Sequence, residues 1–485
     1  MSEHVLRNKF VNGTMWKMIE TIASVAITFI VSLILARLLD NEVFGIIALT
    51  NVFINFSEII LQSAFTTPLI QKKDTDNGDY SSVFVFSLTL ALLLYVAIFA
   101  LSPAIANYYE APILSPVLRV ISVMFIFQAF GSVRTAIISR NMQFKTLSKC
   151  TVASSILSGA LGILAAYLGL GIWALVIQKV SNLFFLNLFL LISIKWVPAF
   201  SQIRFSKVKE LLGFGVKVFA SSLLSFFSDS SISLVTGKAY SFTDLGNCSY
   251  GTKYPCDASI FTFQSIASTL LPTLSTCQDD LPRMKEILRK VLQVVGYALF
   301  PMMLGLFSVS DRLTIFLLTE KWSGAIVFMR LACLYYIATP LLLLNVQLFH
   351  ALGNGTIRIR LETIKFIATV ALLVFGVFIF KQSLVFVIAV RSAIEMTLAL
   401  LSIIAMKKSI GYSIKEYFRD LAFPIVTSLI MTAAVMLVGK ILPFGNTLVL
   451  VIQIVLGAMI YGAATLVIKP RGFVLIKELL GKRQH

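Results

Sequence analysis

Charge is what this sequence has least of. Only 13% of its 485 residues are Asp, Glu, Lys or Arg, while 58% are hydrophobic, and mean hydropathy is +0.89. Soluble domains carry about 25% charged and about 45–50% apolar residues. A soluble core cannot absorb that excess, and a bilayer can. Acids are the scarcer sign, 23 against 41 bases, for a net charge of +18. Such a surplus often marks a nucleic-acid partner. Here the bases sit in short loops between apolar runs, the pattern of membrane topology, so no nucleic acid is expected.

Cysteine is also sparse. Cys150, Cys248, Cys256, Cys277 and Cys333 have no metal or redox spacing and fall in or near apolar runs, which predicts buried free thiols. Met1 to Phe10 is polar and precedes no short apolar core with a cleavage site, so the first helix is expected to be its own targeting signal. Long loops are missing too. No separate domain is expected outside the bundle, and any chemistry must lie within it.

What is present is a succession of apolar runs of about 20 residues, the length a hydrocarbon core of about 30 Å demands of a helix. They predict an all-α polytopic membrane protein of about 14 helices, from Thr14–Ala36 to Thr447–Ile468, with Leu211–Thr236 and Leu245–Leu274 as the seventh and eighth. Loops on one side, including those with Lys72, Arg134, Arg140, Lys209, Lys285 and Lys408, hold about 28 bases. The other side holds about six: Arg37, Lys238, Arg312, Lys321, Lys381 and Lys440. That bias places both termini in the cytoplasm.

The chain also repeats itself. Gly13 to Lys17 aligns with Gly213 to Lys217, Arg37 to Gly45 with Lys238 to Gly246, and Leu118-Arg119 with Met329-Arg330, with Glu110 and Glu320 preceding the last pair. An even number of helices separates the copies, so the halves share one orientation. The expected plan is two six-helix lobes related by a parallel repeat, residues 1–200 and 201–406, with two further helices and a cytoplasmic tail in 407–485.

Ionisable residues inside apolar spans cost about 2.5–3.5 kcal/mol each at a helix centre, so they are expected to pair or to face a wet cavity. Seven cations fall there: Lys17, Arg119, Lys179, Lys217, Lys253, Arg330 and Arg391. Five acids do: Glu20, Glu58, Asp229, Asp257 and Glu395. The surplus is positive and suits an anionic head group. Lys17 and Lys217 are repeat mates near helix ends; they read as a pyrophosphate clamp or as lysines snorkelling to the interface. Lys253 lies deeper, and Asp257 one turn on can neutralise it. Asn51, Asn55, Glu58 and Gln62 form one stripe on the second helix, either lining a path or joining helices. Arg119 and Arg330 either bind substrate or pair with Glu110 and Glu320. Arg391 and Glu395 read as an internal pair, and Lys179 has no evident partner. Glu20, Glu58 and Asp229 are the candidates for ion coupling, by H+ or Na+. Pro255, Pro272, Pro301 and Pro340 each permit a helix bend.

Several stretches together resemble a family. Trp16, Ala36-Arg37-Leu38-Leu39, Phe44-Gly45-Ile46-Ile47 and Leu69-Ile70-Gln71 look like the N-terminal signature of Wzx-type polysaccharide flippases, of the multidrug/oligosaccharidyl-lipid/polysaccharide exporter superfamily. Arg140 to Phe144, Gly169 to Leu175, Glu320-Lys321-Trp322 and His350 to Gly353 are similar to later parts of that family, and the likeness covers roughly residues 10–405.

The resemblance implies movement of a polyprenyl-pyrophosphate-linked oligosaccharide from the cytoplasmic to the periplasmic leaflet of a bacterial inner membrane. It implies alternating access and no catalytic residue, metal or cofactor. Membrane lipid, a polysaccharide polymerase and a chain-length regulator are the further expected partners. Related lipid II flippases use cations on their first, second and eighth helices. Lys253 matches the eighth, but the second helix here carries no cation, so that mechanism does not carry over whole. The rivals are a drug or cation antiporter, which calls for an acidic lumen, and a membrane polymerase or ligase, which calls for a long outward loop. Neither feature is in the sequence.

Overall fold

The structure is a computed structural model that describes residues 3–61, 69, 75–141, 143–203 and 205–481. Side chains at 3–14, 17, 18, 205–221, 261, 263–269, 272, 355 and 479–481 are outside the description. The described chain is helical almost throughout. Its helices are α1 (Glu3–Leu38), α2 (Asn41–Leu61), α3 (Asn77–Tyr108), α4 (Leu114–Ile121), α5 (Val123–Arg140), α6 (Phe144–Tyr167), α7 (Ile172–Ser193) and α8 (Phe205–Ala239). They continue with α9 (Phe242–Ser275), α10 (Leu281–Leu318), α11 (Ala325–Ala351), α12 (Gly355–Ala371), α13 (Leu384–Ile410), α14 (Ile414–Ile441), α15 (Asn446–Ile468) and α16 (Arg471–Gly481). The end of α12 widens into a π-helical stretch, Leu372–Ile379.

Twelve segments among the described residues are long and apolar enough to cross a bilayer. The seventh and eighth expected spans coincide with α8 and α9, continuous helices of 35 and 34 residues whose side chains lie in part outside the description. The outer surface explains the composition. Leu93 is 63% exposed, Val96 61% and Val467 81%, a surface that only hydrocarbon accommodates. The protein is a multi-pass membrane protein.

Local chemistry sets the helix ends. Asp76 and Asp79 form a capping box at the start of α3, and Ser413 and Glu416 form another at α14. Gly169 and Gly171 take positive φ, 75° and 55°, which closes the turn between α6 and α7 in four residues, 168–171. Those helices then pack closely. A Cβ on Gly162 would sit 2.7 Å from Gln178 Cβ, so only glycine fits. Gly162→Val should lower the thermal stability of detergent-purified protein by about 1–3 kcal/mol, the usual cost of overpacking. A melting temperature equal to wild type would contradict this contact.

The chain forms two compact units, Met1–Leu245 and Gly246–His485. In the first, α6 lies between α1 and α7, α3 packs on α5, and α8 packs on α2 and α3. Thus α8 belongs by contact to the first unit, although the sequence repeat places it at the head of the second half. In the second unit α10 is central, touching α11, α14, α15 and α16. Leu288, Leu292, Val295, Leu299 and Met303 line one face of α10. They meet Leu344 and Leu348 of α11, Met406 of α13 and Leu421 of α14 in the core of this unit.

The repeat is visible in side-chain geometry. Within the first unit, Arg119 Nε donates to Ser102 Oγ at 2.9 Å, and its guanidinium lies 4.4 Å from the Phe99 ring. Within the second, Arg330 Nε donates to Ser310 Oγ at 3.0 Å, and its guanidinium lies 5.9 Å from the Phe307 ring. In both, Phe stands three residues before Ser on one helix and Arg comes from the next long segment. The same arginine–serine–phenylalanine device is built twice.

Candidate functional site

The polar groups buried in the spans fall into separate clusters within each unit. In the first, Glu20 of α1 is only 7% exposed and accepts from Ser148 Oγ of α6 at 3.3 Å. The same hydroxyl lies 3.0 Å from the Trp16 carbonyl, and Lys145 Nζ sits 5.4 Å from the Trp16 ring. Glu20 therefore sits at the α1–α6 junction. Lys17 and Lys217 lie on α1 and α8, but their side chains are outside the described residues, as is all of Gln62.

The rest of the helix-two stripe is described. Asn51 and Glu58 are half-buried and Asn55 is exposed, while Val52, Ile54, Ser57 and Leu61 on the other faces are buried. Phe56 packs against Phe226 and Phe227 of α8, at 5.5 and 6.4 Å between ring centroids. This brings α2 beside the helix that carries Asp229, one turn beyond Phe226 and exposed. Asn51, Asn55, Glu58 and Asp229 thus stand on two adjacent helices with part of their surface open.

Lys179 lies within α7 and is half-buried. No hydrogen bond or ion pair engages it among the described residues. The sequence marked it as a cation in a span, but only the structure separates it from the arginines, whose bonds are spoken for. An unpaired ammonium at membrane depth is a ready partner for an anion.

In the second unit Lys253 of α9 is half-buried, with Nζ 5.3 Å from the Tyr250 ring. Asp257 lies within range of its charge. Tyr250 in turn stacks on Trp322 at 4.4 Å, and Trp322 is wholly buried. Glycine allows this arrangement. A Cβ on Gly251 would lie 2.5 Å from the Ala325 carbonyl oxygen and 2.9 Å from the Met329 amide, so α9 rests directly on α11. Gly251→Ala should force α9 off α11, shift Lys253, and cost about 1–3 kcal/mol in thermal stability. Unchanged melting would show that the contact is dispensable.

The arginines are more occupied than the lysines. Besides its bond to Ser310, Arg330 pairs with the Asp311 carboxylate. The expected pairs with Glu110 and Glu320 are not what the structure shows. Glu110 instead binds Lys238, Nζ to Oε1 2.7 Å, because the end of α8 lies against the end of α3. Glu395 pairs with Lys365 at 3.6 Å, and Arg391 lies 5.6 Å from the Tyr335 ring. Arg134, read from the sequence as a loop charge, lies inside α5, buried, donating to the Phe130 carbonyl at 3.0 Å.

The Glu110–Lys238 bridge closes one end of the first unit, beside a cavity of about 420 Å³ lined by Glu42, Tyr109, Glu110, Lys238 and Tyr240. Tyr109 donates to the Leu234 carbonyl at 3.2 Å, and burial pushes its phenol up to about 12. The hydrogen bond from Lys238 holds the Glu110 carboxyl below the ordinary carboxylate range. A lowered carboxyl contributes stability above its unfolded value and loses it as pH falls through the folded one. Glu110→Gln should therefore melt below wild type at neutral pH and together with it in strong acid. An equal difference at both pH values would rule the bridge out as the cause.

Two units of membrane-spanning helices, built on a repeat and carrying surplus cations at depth, define a polytopic exporter fold. The family model described as "Polysaccharide biosynthesis protein" matches residues 34–327. The chain belongs to that family. It is 22% identical over 435 residues to the lipopolysaccharide biosynthesis protein WzxC of Escherichia coli (strain K12), covering 87% of this chain and 86% of the relative. It is 25% identical over 363 residues to the succinoglycan biosynthesis transport protein ExoT of Rhizobium meliloti (strain 1021), covering 74% and 73%. Among solved structures, the lipid II flippase MurJ in an inward closed conformation superposes with a TM-score of 0.75. That match has 16% identity over 94% of this chain and 98% of MurJ, and it shows a shared fold.

Proposed function

We propose that this protein is a flippase. It carries a polyprenyl-pyrophosphate-linked oligosaccharide repeat unit from the cytoplasmic to the periplasmic leaflet of a bacterial inner membrane, for O-antigen or exopolysaccharide synthesis. The observation that carries the reading is the set of cations at membrane depth, Lys179 and Lys253 foremost, in a member of a polysaccharide biosynthesis family whose named relatives include a succinoglycan transport protein. The lipid tail stays in hydrocarbon, while the pyrophosphate and sugars need cations and hydrogen-bond partners along their path.

In this reading Lys253 and Lys179 bind pyrophosphate, with Lys17 and Lys217 completing the path at the cytoplasmic ends. Asn51, Asn55 and Gln62 offer amides to the sugars. Arg119 and Arg330, held by their serines, shape the walls. Glu20, Glu58 and Asp229 couple the cycle to H+ or Na+. Alternating access moves the cargo with no covalent step. Both termini face the cytoplasm, and the product passes to a polymerase working with a chain-length regulator.

Purified protein in liposomes, loaded with the host's polyprenyl-pyrophosphate glycan, tests this. Glycan should become accessible to an external glycosidase faster than in empty liposomes, and Lys179→Ala should slow it about tenfold, as expected for one charged contact. Exchange of a cationic dye for protons, with no glycan movement, would favour a drug antiporter instead.

A further inference from the structure

A second cluster of cations shares no residue with the proposed transport path. At one end of the second unit, α10, α14, α15 and the first turn of α16 enclose a cavity of about 440 Å³, lined by Arg289, Gln293, Arg419, Asp420, Arg471 and Gly472. Its charges do not cancel. Asp420 is saturated by Arg289 (Nε 2.6 Å, Nη2 2.8 Å), Gln293 Nε2 (2.9 Å) and the Tyr412 hydroxyl (2.7 Å). One arginine is thereby consumed. Arg419 and Arg471 are exposed at the mouth and have no ion-pair or hydrogen-bond partner among the described residues. Two guanidiniums remain for an incoming anion.

The site is held rigidly. A Cβ on Gly472 would lie 2.6 Å from the Gln293 carbonyl oxygen, so the first turn of α16 is seated directly on α10. Tyr297 reinforces the seat by contacting Phe473 and Tyr461, at 6.2 and 5.4 Å between ring centroids. Among the first-turn amides of α16, Phe473 and Val474 donate to the Pro470 carbonyl, which leaves those of Arg471 and Gly472 beside the cavity. The remaining wall is apolar. Phe423 and Pro424 line it, and Ile468, 62% exposed, forms the lip toward the membrane. The volume suits a head group, and the lip suits an acyl chain. The same end carries Arg283 and Lys415, with Lys285 and Lys290 paired to Glu416 and Glu286, so the net charge there stays basic and attracts anionic leaflets.

We propose that this cavity binds the phosphate of an anionic membrane phospholipid through Arg419 and Arg471, fixing α14 to α16 against the leaflet surface. The site shares no residue with the path proposed for the cargo and does not depend on what is transported.

Native mass spectrometry of the full chain in detergent, titrated with phosphatidylglycerol, phosphatidylcholine and a polyprenyl phosphate, tests it. Phosphatidylglycerol should bind about tenfold or more tighter than phosphatidylcholine. Arg419→Gln with Arg471→Gln should erase that preference, and Arg419→Lys with Arg471→Lys should keep most of it. Both arginines are exposed and unpaired, so the variants should melt like wild type. Lys238→Gln, in the other unit, should leave the lipid preference unchanged. Equal binding of the two phospholipids, or a glutamine double variant that retains wild-type affinity, would overturn the proposal. So would polyprenyl phosphate displacing phosphatidylglycerol at equal concentration, which would make the cavity a carrier-lipid site.

Discussion

Lys253→Ala should reduce glycan translocation about thirtyfold or more while leaving the protein folded and in the membrane. Losing a charge-assisted contact to a phosphate at membrane depth removes about 1.5–3 kcal/mol, which sets that scale. The folding cost should be small, because Lys253 is half-buried and its nearest ring, Tyr250, is held independently by Trp322. Lys253→Arg should recover part of the rate, since it keeps the charge but changes its reach. Equal transport by Lys253→Ala and wild type would remove Lys253 from the path. Loss of expression would instead assign it a structural role, with Asp257 left uncompensated.

The largest effect on stability should come from Asp420→Ala. The Asp420 side chain is 6% exposed and takes bonds from Arg289, Gln293 and Tyr412. Burial and the bond to Asp420 push the Tyr412 phenol well above its ordinary value, so it remains a donor throughout the physiological range. Removing the carboxylate strands the Arg289 guanidinium, 24% exposed, and the Tyr412 hydroxyl between α10 and α14. The expected loss is roughly 3 kcal/mol, in the range for breaking a buried pair from one side. Arg289→Met with Asp420→Leu should melt closer to wild type than Asp420→Ala alone, because no charge is left behind. A single variant as stable as wild type would mean the network contributes little.

Much of this was legible in the sequence, for one physical reason. A bilayer forces each spanning segment to satisfy its own backbone, so hydropathy alone marks most helices. The repeat was legible because its matched residues are charges and glycines. Arg119 and Arg330 were paired correctly as mates, but their partners were not. Glu110 and Glu320 are near in sequence, whereas Ser102, Ser310 and Asp311 become near only when the preceding helix folds back. Lys238 reaches Glu110 because α8 packs on α3, a contact that no spacing encodes. The Asp420 network was not legible because Arg289 lies 131 residues from Asp420 along the chain. Their convergence depends on α10 and α14 lying side by side.

The decisive measurement is made in cells. In a strain lacking this protein, with the downstream polymerase intact, polyprenyl-pyrophosphate-linked single repeat units are located by an impermeant glycan-binding probe applied to spheroplasts. A flippase predicts units that accumulate shielded from the probe, on the cytoplasmic leaflet, and become accessible when the wild-type chain is restored but not with Lys253→Ala. Unpolymerised units already accessible on the periplasmic leaflet of the deletion strain would contradict it, placing the protein after translocation.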